Sequence, residues 1–142
     1  MKLRHTARVY LCLPFILLLL GIEAFSEDKI PPEPQKLTLA EAFMCEEVKE
    51  QIPYNPGVVF SNIKEKVYCY STFDPVPQNT FIYHSWFYRD NLVTMRKLSV
   101  RSPRWSTYSR IQLRDADKGP WRVEIRDQAE KLLHVLRFSV TE

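Results

Sequence analysis

The chain has 142 residues, 45% of them hydrophobic and 26% charged, and its 20 basic side chains outnumber its 17 acidic ones. When an N-terminal segment of 26 residues is set aside, the remaining 116 residues carry 17 basic and 16 acidic side chains. That length suits one domain, and a net charge of +1 implies neither nucleic acid nor a membrane surface as the partner.

The first 26 residues have the pattern of a secretory signal peptide. Three basic residues, Lys2, Arg4 and Arg8, form its cationic head. The apolar stretch at residues 9–21 is too short to span a bilayer comfortably, since about 20 residues are needed. Residues 24–26 (AFS) place small side chains where signal peptidase reads them, which predicts cleavage before Glu27, export, and no membrane span in the mature protein. The alternative is an uncleaved segment that anchors the chain.

Residues 27–36 are predicted to be a proline-rich linker or arm, and residues 37–142 a β-sandwich domain. In the second region, short runs of alternating apolar residues are separated by turn residues, which is typical of an all-β protein. Strands are predicted at residues 58–60, 66–72, 81–88, 92–100, 105–113, 121–126 and 132–140. About seven antiparallel strands at this spacing predict two packed sheets.

The sequence of residues 38–50 is compatible with either a helix or a strand. Thr38 and Glu41 resemble a helix capping box, and several neighbours favour helix. Leu39, Phe43 and Cys45 lie at even spacings, which suits a strand instead.

The most aromatic stretch is TFIYHSWFYRD at residues 80–90. Alternate residues of a strand share a face, so Ile82, His84, Trp86 and Tyr88 line one side. The opposite side carries Phe81, Tyr83, Ser85 and Phe87. One side is expected to pack on the inner residues of the last hairpin, which are Trp121, Val123, Ile125, Leu136, Phe138 and Val140. If His84, Trp86 and Tyr88 point outward, they form a groove with Arg101, Trp105 and Tyr108. Structural packing is the alternative for each of them.

The segment Arg101-Ser102-Pro103-Arg104-Trp105 is the second candidate binding element. Pro103 fixes a bend, and Arg101 and Arg104 beside Trp105 could pair with a carboxylate or phosphate. The alternative is an arginine that stacks on Trp105. Residues 89–126 hold ten basic and four acidic side chains, and residues 27–79 hold five basic and nine acidic ones. Such asymmetry either steers an anionic partner or marks a solvated face.

The sequence predicts no metal site, no cofactor and no catalytic residues. His84 and His134 are the only imidazoles after residue 26, too few for a zinc site, so His84 is expected to be a hydrogen-bonded structural residue. The patterns GxSxG and HExxH are absent, and no glycine-rich loop can cradle phosphate.

Cys45 and Cys69 are the two cysteines after residue 26. In an exported protein an even pair predicts a disulfide, which would close a loop of 25 residues. The alternative is a pair of buried free thiols.

Several motifs occur in an order that resembles a known family. They are KVYCYS, YHSWFYRD, VRSPRWSTYS, KGPWRVEIRD and LRFSVTE, after a cysteine near the start of the domain. The chain resembles the bacterial family called "domain of unknown function 2914" over about residues 37–142. The resemblance implies an immunoglobulin-like β-sandwich in envelope-associated bacterial proteins, with no established activity. It favours a strand at residues 38–50. The family's glycine in the last hairpin is replaced here by residues 127–130 (DQAE).

The sequence thus predicts a non-enzymatic binding or adaptor module, exported to the periplasm or cell envelope of a bacterium. Its arginine and aromatic face would bind a protein or an anionic or glycan component of the envelope. An alternative is a structural or assembly protein that pairs through a sheet edge. An enzyme is the least supported class.

Overall fold

Residues 31–142 are described by a computed structural model of the chain. The predicted signal peptide at residues 1–26 and the start of the predicted arm lie outside the described residues. Residues 31–36 are exposed and belong to no strand. Within this part of the chain, no helix is long and apolar enough to cross a membrane.

Nine strands provide nearly all the regular structure of residues 31–142. They are β1 (Leu39–Lys49), β2 (Ile52–Pro56), β3 (Val59–Ser61), β4 (Lys66–Phe73), β5 (Thr80–Tyr88), β6 (Asn91–Val100), β7 (Trp105–Gln112), β8 (Gly119–Arg126) and β9 (Leu132–Thr141). Single turns of 3-10 helix occur at Asn62–Lys64 and Asp115–Asp117. The all-β prediction is confirmed, and β1 resolves residues 38–50 in favour of a strand.

The strands form two sheets, one in the order β2-β1-β4-β7 and the other in the order β3-β9-β8-β5-β6. The predicted β-sandwich is confirmed, with two more strands than expected. The sequence does not predict β2, because Pro53 and Pro56 interrupt it, but an edge strand tolerates residues that cannot donate a ladder hydrogen bond. The short edge strand β3 pairs with β9 in parallel, whereas the other pairs are antiparallel.

Strand β5 lies between β6 and β8, and its inner face builds the core. Ile82, His84 and Trp86 are fully buried between the sheets, while Phe81, Tyr83 and Phe87 are half-buried on the outer face. The ring of Trp86 meets Phe138 edge-on at 6.1 Å between centroids. Such aromatic pairs add about 0.5–1.5 kcal/mol beyond the burial of their area. The face that carries His84 and Trp86 is therefore the inner one, on which Trp86 lies beside Phe138 of the last hairpin in the same sheet.

The last hairpin turns without a glycine. Asp127 Oδ1 accepts hydrogen bonds from the backbone nitrogens of Ala129 and Lys131, each 2.9 Å long. Glu130 adopts a left-handed conformation with φ 62°, the position at which glycine is usually favoured. The Asp127 carboxylate thus closes the turn that a glycine would otherwise make easy.

Candidate functional site

His84 and Trp86 do not form a surface groove. Both side chains have 0% exposure. Hydrogen bonds of 3.1 Å and 2.8 Å join the His84 ring nitrogens to the hydroxyls of Ser71 and Ser109, which belong to the opposite sheet. Trp86 Nε1 donates a third hydrogen bond, of 3.0 Å, to Ser109. The outward orientation is wrong, because the facing serines satisfy the polar atoms of both rings and so allow their burial.

Burial also determines the charge of His84. It lowers the pKa of the imidazole from 6.5 to about 3, since the charged ring would be removed from water without a carboxylate beside it. The ring is therefore neutral, with one nitrogen donating and the other accepting a hydrogen bond. The expected structural role of His84 is confirmed, although it joins two sheets rather than a strand and a loop.

Tyr88 ties the end of β5 to the segment before β8. Its hydroxyl donates to the Lys118 carbonyl over 2.7 Å and accepts from Arg89 Nε over 3.0 Å. Its ring packs on Trp121 with the centroids 4.8 Å apart. These contacts give Tyr88 a structural role at the end of the sandwich opposite to the segment of Arg101, because Thr80, not Tyr88, pairs with Val100.

Arg101, Arg104 and Trp105 lie together in and after the connection from β6 to β7. The Arg101 guanidinium is 5.4 Å from the centre of the Trp105 ring, so the stacking alternative describes this pair. Arg104 Nη1 is 3.6 Å from Asp74 Oδ2, in an exposed ion pair of small energetic value. The six predicted site residues are thus divided among the core, one end of β5 and the β6–β7 connection.

The predicted disulfide is not formed, and Cys45 and Cys69 are free thiols. Cys69 lies opposite Met44 and packs in the core between the sheets. Cys45 is the next residue after Met44, so its side chain points to the other face, where it packs against Tyr68 and Tyr70. Two cysteines on opposite faces of one sheet cannot be bridged without moving the backbone. Burial raises the pKa of both thiols, which makes them poor nucleophiles.

We expect both thiols to survive in protein purified without reductant. Alkylation in guanidinium chloride, followed by peptide mass mapping, should label Cys45 and Cys69 completely, whether or not the protein was first reduced. In the folded protein, neither should react appreciably within the same time, since both are buried. A Cys45–Cys69 cross-linked peptide in the unreduced sample would contradict the arrangement of these strands.

A cleft of about 430 Å³ lies at the open edge where β6 of one sheet approaches β7 of the other. We call it the seam cleft. Its lining residues are Val48, Tyr68, Arg96, Leu98, Tyr108, Ser109 and Arg110. On β7, Tyr108 and Arg110 project from the outer face, and Ser109 projects inward to the buried His84. The cleft therefore joins the basic surface to the polar hydrogen bonds of the core.

The seam cleft is electropositive. Arg96 and Arg110 are exposed, no carboxylate lines the cleft, and neither arginine forms an ion pair within residues 31–142. Arg110 Nη1 donates a 3.5 Å hydrogen bond to the Tyr68 hydroxyl. The rings of Tyr68 and Tyr108 lie 6.0 Å apart beside it. Two guanidinium groups next to tyrosine rings and hydroxyls can bind a carboxylate or phosphate on a ligand with hydroxyl groups.

Sequence reasoning identifies only part of this cleft. It names Tyr108 and the basic segment 89–126, but misses Tyr68, Arg96 and Arg110. Arg96 gives no local signal, because it follows apolar residues in what reads as an ordinary strand. Arg110 follows Tyr108 by two residues, which places both on one face of β7. That spacing is the one signal in the sequence that could have identified it.

Comparison with known proteins gives a match to one family over part of the chain, and no activity. The model of the family "Protein of unknown function (DUF2914)" matches residues 79–140, which extend from the start of β5 into β9. The resemblance to this family is confirmed for that part of the chain, while residues 37–78 lie outside the match. No curated protein matches the chain.

Two solved structures show a distant likeness. A mutant β-glucosidase from Listeria innocua in complex with laminaribiose is 11% identical, with a TM-score of 0.39 over 68% of this chain and 19% of that chain. The GH3 β-glucosidase of Bifidobacterium adolescentis is 10% identical, with a TM-score of 0.37 over 74% of this chain and 17% of that chain. The chain thus spans less than a fifth of either enzyme, and similarities this low carry no argument about function.

Proposed function

We propose that this protein is an exported, non-enzymatic binding module of the bacterial cell envelope, and that it holds an acidic glycan in the seam cleft. The single observation that carries the proposal is the pair of guanidinium groups of Arg96 and Arg110, which share one cleft without a carboxylate. The half-buried ring of Tyr108 beside them offers an apolar face to a sugar ring, and its hydroxyl offers a hydrogen bond. The signal-peptide pattern of residues 1–26 supports the export of the module.

The chemistry of the cleft supports binding rather than catalysis. Ser109 is the hydroxyl of the cleft nearest to an imidazole, but its partner His84 is sealed in the core and bonded to a second serine. A general base needs a pKa near the working pH, and burial lowers the pKa of His84 to about 3. We therefore assign no reaction to this pair.

Isothermal titration calorimetry with oligogalacturonate tests the proposal. The Arg96→Ala and Arg110→Ala variants should each weaken binding about tenfold, because each removes a charged hydrogen-bond donor. Arg101→Ala is the matched control, since Arg101 is an exposed arginine in the β6–β7 connection, outside the cleft, and the variant should bind like the wild type. No binding by the wild type, or equal affinity in all four proteins, would contradict the proposal.

A specific observation also supports assembly through a sheet edge. Strand β6 is an edge strand of ten residues, and Leu92, Val93 and Met95 on it are exposed. Such an edge can add a strand from another chain. Light scattering distinguishes the two functions, because an oligomer that persists at high salt would favour assembly, whereas a monomer would favour the glycan-binding module.

A further inference from the structure

A second cleft, separate from the seam cleft, brings three arginines together. We call it the arginine cleft and define it by Arg89, Arg122 and Arg137. It has a volume of about 360 Å³ and lies where the β5–β6 turn, β8 and β9 meet the short strand β3. Asp90 is the one carboxylate in its lining, which leaves a formal charge of about +2 on the lining. None of its residues lines the seam cleft.

The Arg89 guanidinium is held in place by a tyrosine hydroxyl and a backbone carbonyl. Its Nε donates to the Tyr88 hydroxyl over 3.0 Å, and its Nη2 donates to the Lys118 carbonyl over 3.5 Å. Gly119 has a φ of +121°, and a Cβ atom there would lie only 3.1 Å from Arg89 Nη2. Glycine therefore satisfies both the backbone conformation and the close approach of the guanidinium.

Arg122 is held more firmly. Its guanidinium carbon lies 4.0 Å from the centre of the Phe87 ring, and its Nε lies 3.4 Å from Glu124 Oε1. A further ion pair joins its Nη1 to Asp90. Stacking and paired charges fix the plane of the group before any ligand arrives, which reduces the entropy lost on binding.

The position of Arg137 brings two positive charges next to each other. It lies directly opposite Arg122 in the register of β8 and β9, and like charges in that position are destabilising. Unlike Arg122, it is exposed and forms no ion pair with any described carboxylate. An anion between the two guanidinium groups would remove this repulsion and bind both.

We infer that the arginine cleft binds a phosphate monoester that carries an apolar substituent. A phosphate monoester has a charge of about −1.5 to −2 at neutral pH, which matches the cleft better than the single charge of a carboxylate. Val58 and Val59 form an apolar wall of the cleft and are 65% and 60% exposed. Burying them against the substituent adds affinity that inorganic phosphate lacks. A lipid headgroup and a soluble ester share this chemistry.

Calorimetry with n-butyl phosphate, inorganic phosphate and n-pentanoate tests the ligand class. Butyl phosphate should bind most tightly. Inorganic phosphate should bind at least about threefold more weakly than butyl phosphate, and pentanoate about tenfold more weakly. The Arg89→Ala and Arg137→Ala variants should weaken butyl phosphate binding about tenfold. Arg101→Ala is the matched control, since Arg101 is an exposed arginine outside both clefts and its loss should leave the affinity for butyl phosphate unchanged. The two clefts share no lining residue, so this result is independent of the proposed glycan binding.

Sedimentation with vesicles distinguishes the two sources of phosphate. Binding to phosphatidylcholine vesicles that contain phosphatidic acid, lost in Arg137→Ala, would assign the phosphate to a lipid headgroup. Binding of butyl phosphate without sedimentation would assign it to a soluble ester, and both results support the site. Pentanoate binding as tight as that of butyl phosphate, no binding of any probe, or unchanged affinity in both arginine variants would overturn it.

Discussion

The free energy of unfolding should fall by about 2 kcal/mol as the pH is lowered from 6.5 to 4.5, because of His84 alone. Folding lowers the pKa of this imidazole from 6.5 to about 3. Between these values the unfolded chain binds a proton that the folded protein does not, so acid favours unfolding. The neutral His84 ring makes its full contribution to the free energy of unfolding above pH 6.5, and this contribution decreases as the pH falls towards 3.

Urea unfolding followed by tryptophan fluorescence at several pH values measures this slope. Carboxylates with lowered pKa, such as Asp117 and Glu124, which arginines hold ionised, contribute mainly below about pH 4.5 and lie outside the window. His84→Gln is the control, since glutamine can still bond the two serines but does not titrate. Its stability should be lower throughout yet nearly constant over the window. A slope equal to that of the wild type would show that His84 is not the group responsible.

Substitution of Trp86 by alanine should destabilise the fold by about 3–5 kcal/mol, the usual range for a large aromatic residue in a core. The loss combines the burial of the ring, its edge-on contact with Phe138, and the hydrogen bond from Nε1 to Ser109. For a domain of this size such a loss is a large part of the total stability. The urea midpoint at neutral pH measures it.

Phe87→Ala is the matched control on the same strand. Phe87 is the next residue, but it lies half-buried on the outer face and stacks with Arg122. Its loss should cost less than half as much as the loss of Trp86. Equal costs, or a larger cost for Phe87, would mean that the two faces of β5 have been assigned the wrong way round.

The hairpins and the sheet class can be predicted because their signals are local. Strand β5 is a short run rich in aromatic residues that meets β6 across a short turn, and β8 and β9 are joined in the same way around residues 127–130. Strand β1 is different, since its local preferences include a helix capping box, and its pairing with β4 decides the outcome. Strand β3 lies within one residue of the strand predicted at residues 58–60, but its parallel pairing with β9, about 80 positions further on, cannot be read from so short a segment.

The sequence does not show which face of a strand points into the core. In β5 both faces carry rings, so a period of two identifies the faces without saying which is buried. What decides it lies elsewhere in the chain: Ser71 on β4 and Ser109 on β7 supply the hydrogen bonds that let His84 enter the core. The same limit explains the wrong disulfide, because Cys45 and Cys69 have a suitable separation along the chain but opposite orientations in one sheet.

The basic segment 89–126 also divides in a way that its charge count does not reveal. Strand β7 belongs to one sheet, and β6 and β8 belong to the other. Arg96 and Arg110 therefore meet at the open edge between the sheets, and Arg89 and Arg122 meet Arg137 in the arginine cleft. Arginines from one basic segment of the sequence therefore line two separate clefts.

Backbone amide NMR during titration with oligogalacturonate tests the proposed function most directly. Saturable shifts should concentrate at the amides of Arg96, Tyr108, Ser109 and Arg110, and in Arg96→Ala they should need about tenfold more ligand to reach saturation. Shifts confined to the connection that carries Arg101 and Arg104, or spread evenly over exposed lysines and arginines, would contradict a selective site in the seam cleft.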